Sequence, residues 1–232
     1  MISDENPQPV RIKFRKVGML QYISHLDLQR TVARVLARSG VPAWYTQGFN
    51  PHPKLVFALP LSIGTQSECE FLDIRLREYM PLEEVKERLN RALTDELSVI
   101  CVYEPESKFS DIGFAEYEIS VKTEGADEAL AGRVRALFSA KPLMMFKHTK
   151  SGEKEVDISP LIRRIEVSFD SKTSLLHLTA LLSASSENYL GPEMLVTAMK
   201  DSLGILSHDP LTEAYTVFRT GVYLADGETP FR

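Results

Sequence analysis

Apolar and basic residues alternate over residues 10–17 (VRIKFRKV), a period of two that predicts a half-buried strand, and Gly18 ends it. Ser24 then precedes a stretch in which Leu28, Val32, Val35 and Leu36 recur at helical spacing. Asp27 completes an approximate capping box, and Gly40 is the stop. Residues 42–46 read as a short strand and 48–53 as a loop by composition; 55–61 and 70–76 read as strands around a turn at Gly64. A second helix is expected over 81–93, with proline at its start and Leu82, Val85, Leu89 and Leu93 on one face, followed by a strand over 97–103.

The second half nearly repeats this order. Strands are expected at 116–122, 143–148, 155–158, 165–169, 175–182 and 215–223, and helices at 126–138 and 192–203. The order β-α-β-β-α-β is that of the split βαβ unit. The pattern therefore predicts an α+β protein of tandem ferredoxin-like (βαββαβ) halves with antiparallel sheets. A basic domain would span residues 1–110 and a second domain 111–232, with the junction inside 108–113. The alternative is a single irregular α+β domain. The tail after Ala225 reads as loose.

Composition changes the picture in one respect. At 232 residues, 44% hydrophobic and 25% charged, the chain is of ordinary globular make-up. The charge, however, is unevenly spread. Residues 11–54 carry eight Lys/Arg against Asp27 alone, a net +7 in a chain of net −5, which leaves −12 elsewhere. Such asymmetry suggests a local anion-binding face. No apolar run approaches the roughly 20 residues of a membrane span, and the first ten residues lack a signal-peptide core, so a cytoplasmic protein away from membranes is expected. Cys69 and Cys101 are the only cysteines, too few for a disulfide framework or for an iron–sulfur cluster held by this chain alone.

Candidate chemistry concentrates in residues 22–70. Arg30, Arg34 and Arg38 fall at i, i+4 and i+8 of the first helix; guanidinium forks match phosphate oxygens, and Arg11 and Lys13 on the preceding strand extend the set. The bland reading of the ladder is a solvated helix face. In GFNPHP, two prolines fix the backbone and Gly48 and Asn50 allow positive φ. Phe49, Asn50 and His52 then suit base stacking and base-edge reading, against the bland reading of a turn with Phe49 in the core. His25, at the first helical position, and His52 are the groups open to acid–base work; a hydrogen-bonded structural histidine is the bland reading of His25. No pair among His25, Asp27, His52, Cys69 and Glu70 has metal-ligand spacing, and no G-x-S-x-G, Walker loop or dinucleotide fingerprint occurs, so neither metal nor cofactor is expected. Lys147, Lys150 and Lys154 around Gly152 read as a solvated hairpin.

SHLD (residues 24–27), GFNPHP (48–53) and the G-x-x-S-x-x-E of Gly64, Ser67 and Glu70 occur in order. This block, with KEVDISPLI at 154–162 as a looser continuation, resembles the radical-SAM-linked family, a domain of unknown function found alone or fused behind a radical S-adenosylmethionine enzyme. The resemblance implies a radical-SAM enzyme as partner and a role near RNA, either ribosomal or transfer RNA. A weaker similarity, of fold alone, links the pattern to CRISPR repeat-processing endoribonucleases. The expectation is a non-catalytic accessory module that binds RNA or a nucleotide-bearing substrate for a separate radical-SAM enzyme. The alternatives are a metal-independent endoribonuclease using His25 or His52, and a protein–protein adaptor.

Overall fold

A computed structural model describes residues 6–149, 152–206 and 211–232, and the chain forms two compact units that divide between Phe109 and Ser110, with Arg232 belonging to the first. The first unit runs β1 (Gln8–Lys16), α1 (His25–Ser39), β2 (Val56–Ala58), β3 (Thr65–Leu76), α2 (Leu82–Ala92), β4 (Leu97–Tyr103). Its strands are antiparallel in the order β4–β1–β3–β2, with Ile12 opposite Leu72 on one side and Val102 on the other. Val10, Ile12 and Phe14 of β1 and Leu72, Ile74 and Leu76 of β3 pack in one cluster with Leu28, Val32, Val35 and Leu36 of α1 and Val85 and Leu89 of α2. Both helices therefore cover one face of the sheet, because both present a single apolar stripe and strand side chains alternate between faces.

α1 begins where the sequence marks it. Ser24 accepts from the Asp27 amide at 3.1 Å and donates to Asp27 Oδ2 at 2.7 Å. Gly40 ends the helix with φ +69°, a left-handed conformation that costs glycine little.

Three expected strands or segments differ from the pattern. Residues 42–46 form no strand; they make only single bridges, Ala43 to Leu76 and Tyr45 to Pro53, because Pro42 and Pro53 interrupt any continuous ladder. The expected strand over 55–61 is cut to Val56–Ala58, since Leu59 turns to φ +42° and Pro60 follows. The tail is not loose. Leu224 N donates to the Thr229 carbonyl and Phe231 N to the Val222 carbonyl, at 2.9 and 2.8 Å, and Phe231 is buried. Asp226 fixes that turn by accepting from the amides of Glu228 and Thr229.

The second unit runs β5 (Ile112–Lys122), α3 (Glu128–Ser139), β6 (Met144–Thr149), β7 (Gly152–Asp157), β8 (Ile162–Asp170), β9 (Leu175–Ser183), α4 (Pro192–Leu203), β10 (Ala214–Leu224). Its main strands are antiparallel in the order β10–β5–β9–β8, and β6 and β7 form a separate hairpin between α3 and β8. Thr149 lies opposite Gly152 at the hairpin end, and Lys150 is outside the described residues. The molecule is thus α+β with antiparallel sheet in both units.

Candidate functional site

The face of α1 turned away from the core carries Leu26, Gln29, Arg30 and Ala33, at i, i+3, i+4 and i+7. With His52, Pro53, Lys54 and Leu55 from the other side they line an open cleft of about 440 Å³. The α1 side is held by the Ser24 cap. The other side is held by the loop itself, in which Thr46 N donates to the His52 carbonyl at 2.9 Å and His52 N to Thr46 Oγ1 at 3.2 Å. These two bonds close residues 46–52 into a tight hoop and present its tip outward. Phe49, Asn50, Pro51 and His52 are exposed, and Phe49 lies wholly in solvent rather than in the core. Gly48 takes φ +133°, whereas Asn50 has no positive φ.

His52 Nδ1 lies 3.1 Å from the Asn50 carbonyl oxygen and 3.2 Å from Thr46 Oγ1, so the hoop engages the ring through this nitrogen. His25 is placed differently. Gln29 Nε2 donates to its Nε2 at 2.9 Å, and Phe57 packs edge-on against its ring at 5.2 Å between centroids. The Gln29 amide thus lines the cleft while fastening His25, which has the surroundings of a structural histidine.

All three arginines of the ladder are exposed. Arg30 reaches Asp27 at 3.4 Å, a weak pair with both side chains about 60% in solvent. Ser24's hydroxyl, with Arg30 adding to it, holds the Asp27 carboxyl below the ordinary range. Arg38 donates to the Ala92 carbonyl at 3.2 Å, the C-terminal end of α2, where a cation is favoured. Arg34 has no hydrogen bond or ion pair among the described residues.

The basic strand does not join this face. Arg11 is only 1% exposed. Its guanidinium makes a two-pronged pair with Asp73 at 2.7 and 2.8 Å, donates to the Arg232 carbonyl at 3.0 Å, and stacks on Phe109. It is a structural residue, and the expected phosphate role is corrected: its fork is already filled. Lys13 lies over the Phe71 ring at 5.9 Å. Both stand on the sheet face opposite α1, because Val10, Ile12 and Phe14 take the helix side. Arg15 is engaged by Ser98 and the Asp95 carbonyl, and Lys16 is buried. Ser67 and Glu70 are buried too, with Ser67 Oγ accepting from the Cys69 amide at 3.0 Å.

Gln29 is a cleft residue that reading by charge and motif did not single out, and Lys54 was counted among the cations of the basic segment without being placed in a site. The helical spacing of Leu26, Gln29, Arg30 and Ala33 was the available signal, a second face beside the apolar stripe. Arg75 adds a further exposed cation; with Lys54 it lines a smaller hollow of about 190 Å³ over Val56.

No described helix is long and apolar enough to cross a membrane. Among the described residues, no three His, Cys, Asp or Glu side chains are grouped so as to hold a metal. The chain belongs to a family described as "Uncharacterized protein conserved in bacteria (DUF2344)", whose match spans residues 10–192. That span runs from within β1 to the start of α4 and includes both the hoop and the arginine ladder. A comparison with curated proteins finds no match.

Proposed function

We propose that the protein is an RNA-binding accessory module, and that the α1–hoop cleft of its first unit holds a single-stranded, phosphate-bearing segment. The observation that carries this reading is the meeting of Arg30, Lys54 and His52 in one cleft, with Phe49 fully exposed in the same hoop. A solvent-exposed aromatic beside cations suits RNA: every base offers a ring face to stack on, and the backbone offers phosphates. Arg30 and Arg34 would take phosphates along the helix, Phe49 would stack on a base, and Asn50 and His52 would read its edge. The strand order fourth–first–third–second, in each unit, supports the finer reading of two ferredoxin-like halves, a scaffold that leaves such loops free. The likeness of SHLD, GFNPHP and G-x-x-S-x-x-E to the radical-SAM-linked family supports a separate radical-SAM enzyme as the partner that acts on the bound RNA.

Filter binding with short single-stranded RNAs tests the reading. Arg34→Ala is expected to weaken binding across sequences by about 1 kcal/mol, while His52→Ala changes which sequence is preferred. Absence of binding at low salt would reject the RNA role. The purified chain is expected to leave RNA uncleaved in a chelator, and modification of the RNA should require an added radical-SAM enzyme. Cleavage lost on His52→Ala would establish the endoribonuclease alternative instead.

A further inference from the structure

Lys54 belongs to two hollows. On one side it closes the α1–hoop cleft, and on the other it lines the open hollow of about 190 Å³ with Pro9, Val56, Asp73 and Arg75. This second hollow sits on the outer edge of the first unit's sheet. Val56 stands opposite Asp73, and Asp73 opposite Arg11, so all three share the face turned away from α1. Arg75, two residues beyond Asp73 on β3, faces the same way.

Beyond β2, residues 42–44 cover the edge of β3. Trp44 N donates to the Arg75 carbonyl at 2.7 Å, Arg77 N donates to the Pro42 carbonyl at 2.9 Å, and Ala43 bridges Leu76. Ala43 and Leu76 both belong to the core cluster on the helix side. Their neighbours Trp44 and Arg75 therefore stand opposite each other on the other face.

The charge at this hollow is unbalanced. Asp73 is the one acid lining it, and both of its carboxylate oxygens already accept from Arg11, at 2.7 and 2.8 Å. Lys54 and Arg75 are exposed, and neither side chain has a hydrogen bond or ion pair among the described residues. Cations on a sheet edge also discourage strand addition, and that role accounts for their exposure. It does not account for the continuity, in which one lysine joins this hollow to a cleft that carries Arg30 and His52.

We propose that the hollow is a second phosphate subsite for single-stranded RNA. The strand held in the α1–hoop cleft continues past Lys54, crosses the β2 edge and places a phosphate on Arg75, beside Trp44. A guanidinium with no partner of its own suits a phosphate, and an indole next to it offers a ring surface to a base. This inference rests on the RNA reading of the cleft and gives that reading a length and a direction.

The full chain is titrated at low salt with end-labelled oligouridylates of about four and about ten nucleotides, lengths that span a short and an extended site. Fluorescence anisotropy gives the affinities. Trp44 is the only tryptophan of the chain, so its emission, read with unlabelled RNA, reports on this face. The longer RNA is expected to bind more tightly and to change Trp44 emission saturably. Arg75→Ala should weaken the longer RNA about fivefold, one phosphate contact's share, and leave the shorter unchanged. Arg75→Glu should weaken the longer RNA further, as a charge contact requires. Because the Arg75 side chain is exposed and unpaired, both variants should fold as wild type does. Equal weakening of the two lengths, unchanged affinity for the longer RNA in both variants, or no Trp44 response to it would overturn the proposal. If the shorter RNA binds and loses affinity in Arg34→Ala while the Arg75 variants bind both lengths normally, this inference alone fails. If neither RNA binds, the RNA reading fails and takes the inference with it.

Discussion

At the scale of single residues, the positive charges near the N-terminus sort into two kinds. Arg11 is spent on Asp73 and the Arg232 carbonyl in a buried setting, whereas Arg34 stands exposed on α1. Removing one partner of a buried, hydrogen-bonded ion pair strands the other, so Arg11→Ala should lower stability by about 3 kcal/mol or more. Arg34→Ala should leave stability within about 0.5 kcal/mol and act on RNA alone. Urea denaturation of the two variants checks this, and equal destabilisation would remove the distinction. Part of this sorting was legible in the sequence. The alternation of residues 10–17 already sends Arg11 and Lys13 to the face opposite the apolar set, and an apolar stripe on α1 must pack on that set. The basic strand and the basic helix could not share one surface. Arg11's burial was not legible, because Asp73 and Arg232 are distant in sequence and only the fold brings them together.

At the scale of elements, local rules succeeded where a side chain acts on its own neighbourhood. The serine cap and glycine stop of α1 fall where composition put them. Ser24→Ala should cost about 1 kcal/mol, because the first-turn amide of Asp27 loses its acceptor; thermal melts against wild type read this directly. Strand ends were less legible. The register partners of residues 42–46 and 55–61 lie elsewhere, and a Leu59 with positive φ has no composition signal. The tail fails the local rule as well, since a short polar stretch after Ala225 is held by main-chain bonds to β10 that no local pattern announces. Asp226 anchors it: Thr229 Oγ1 and the Glu228 and Thr229 amides hold its carboxyl down to about 2. A carboxyl depressed in the folded state contributes stability that is complete above its unfolded value of about 4 and is lost as pH falls through about 2. The Asp226→Asn variant should therefore be less stable than wild type at neutral pH, and the gap should narrow between about pH 4 and 2. A gap independent of pH would show that the turn is held without the charge.

At the scale of the molecule, the +7 segment overstates the charge available to a ligand. Arg11, Arg15 and Lys16 are engaged or buried, and Lys13 faces the other side of the sheet. What remains around the cleft is Arg30, Arg34, Arg38 and Lys54, and Arg38 already favours the end of α2. The salt dependence of RNA binding distinguishes these two counts, because each phosphate neutralised on a single strand releases counterions in proportion. Four contacts predict a slope of log K against log salt of about −3, and all eight cations of the segment would predict about −6. Arg34→Ala should lower the magnitude by about 0.7, one contact's share, while Lys13→Ala should leave the slope unchanged. Measuring the three slopes on one RNA at constant pH tests the cleft as the binding face. A wild-type slope near −6 together with a reduced slope in Lys13→Ala would move the RNA to the opposite face of the sheet, and would leave Phe49 exposed for some other partner.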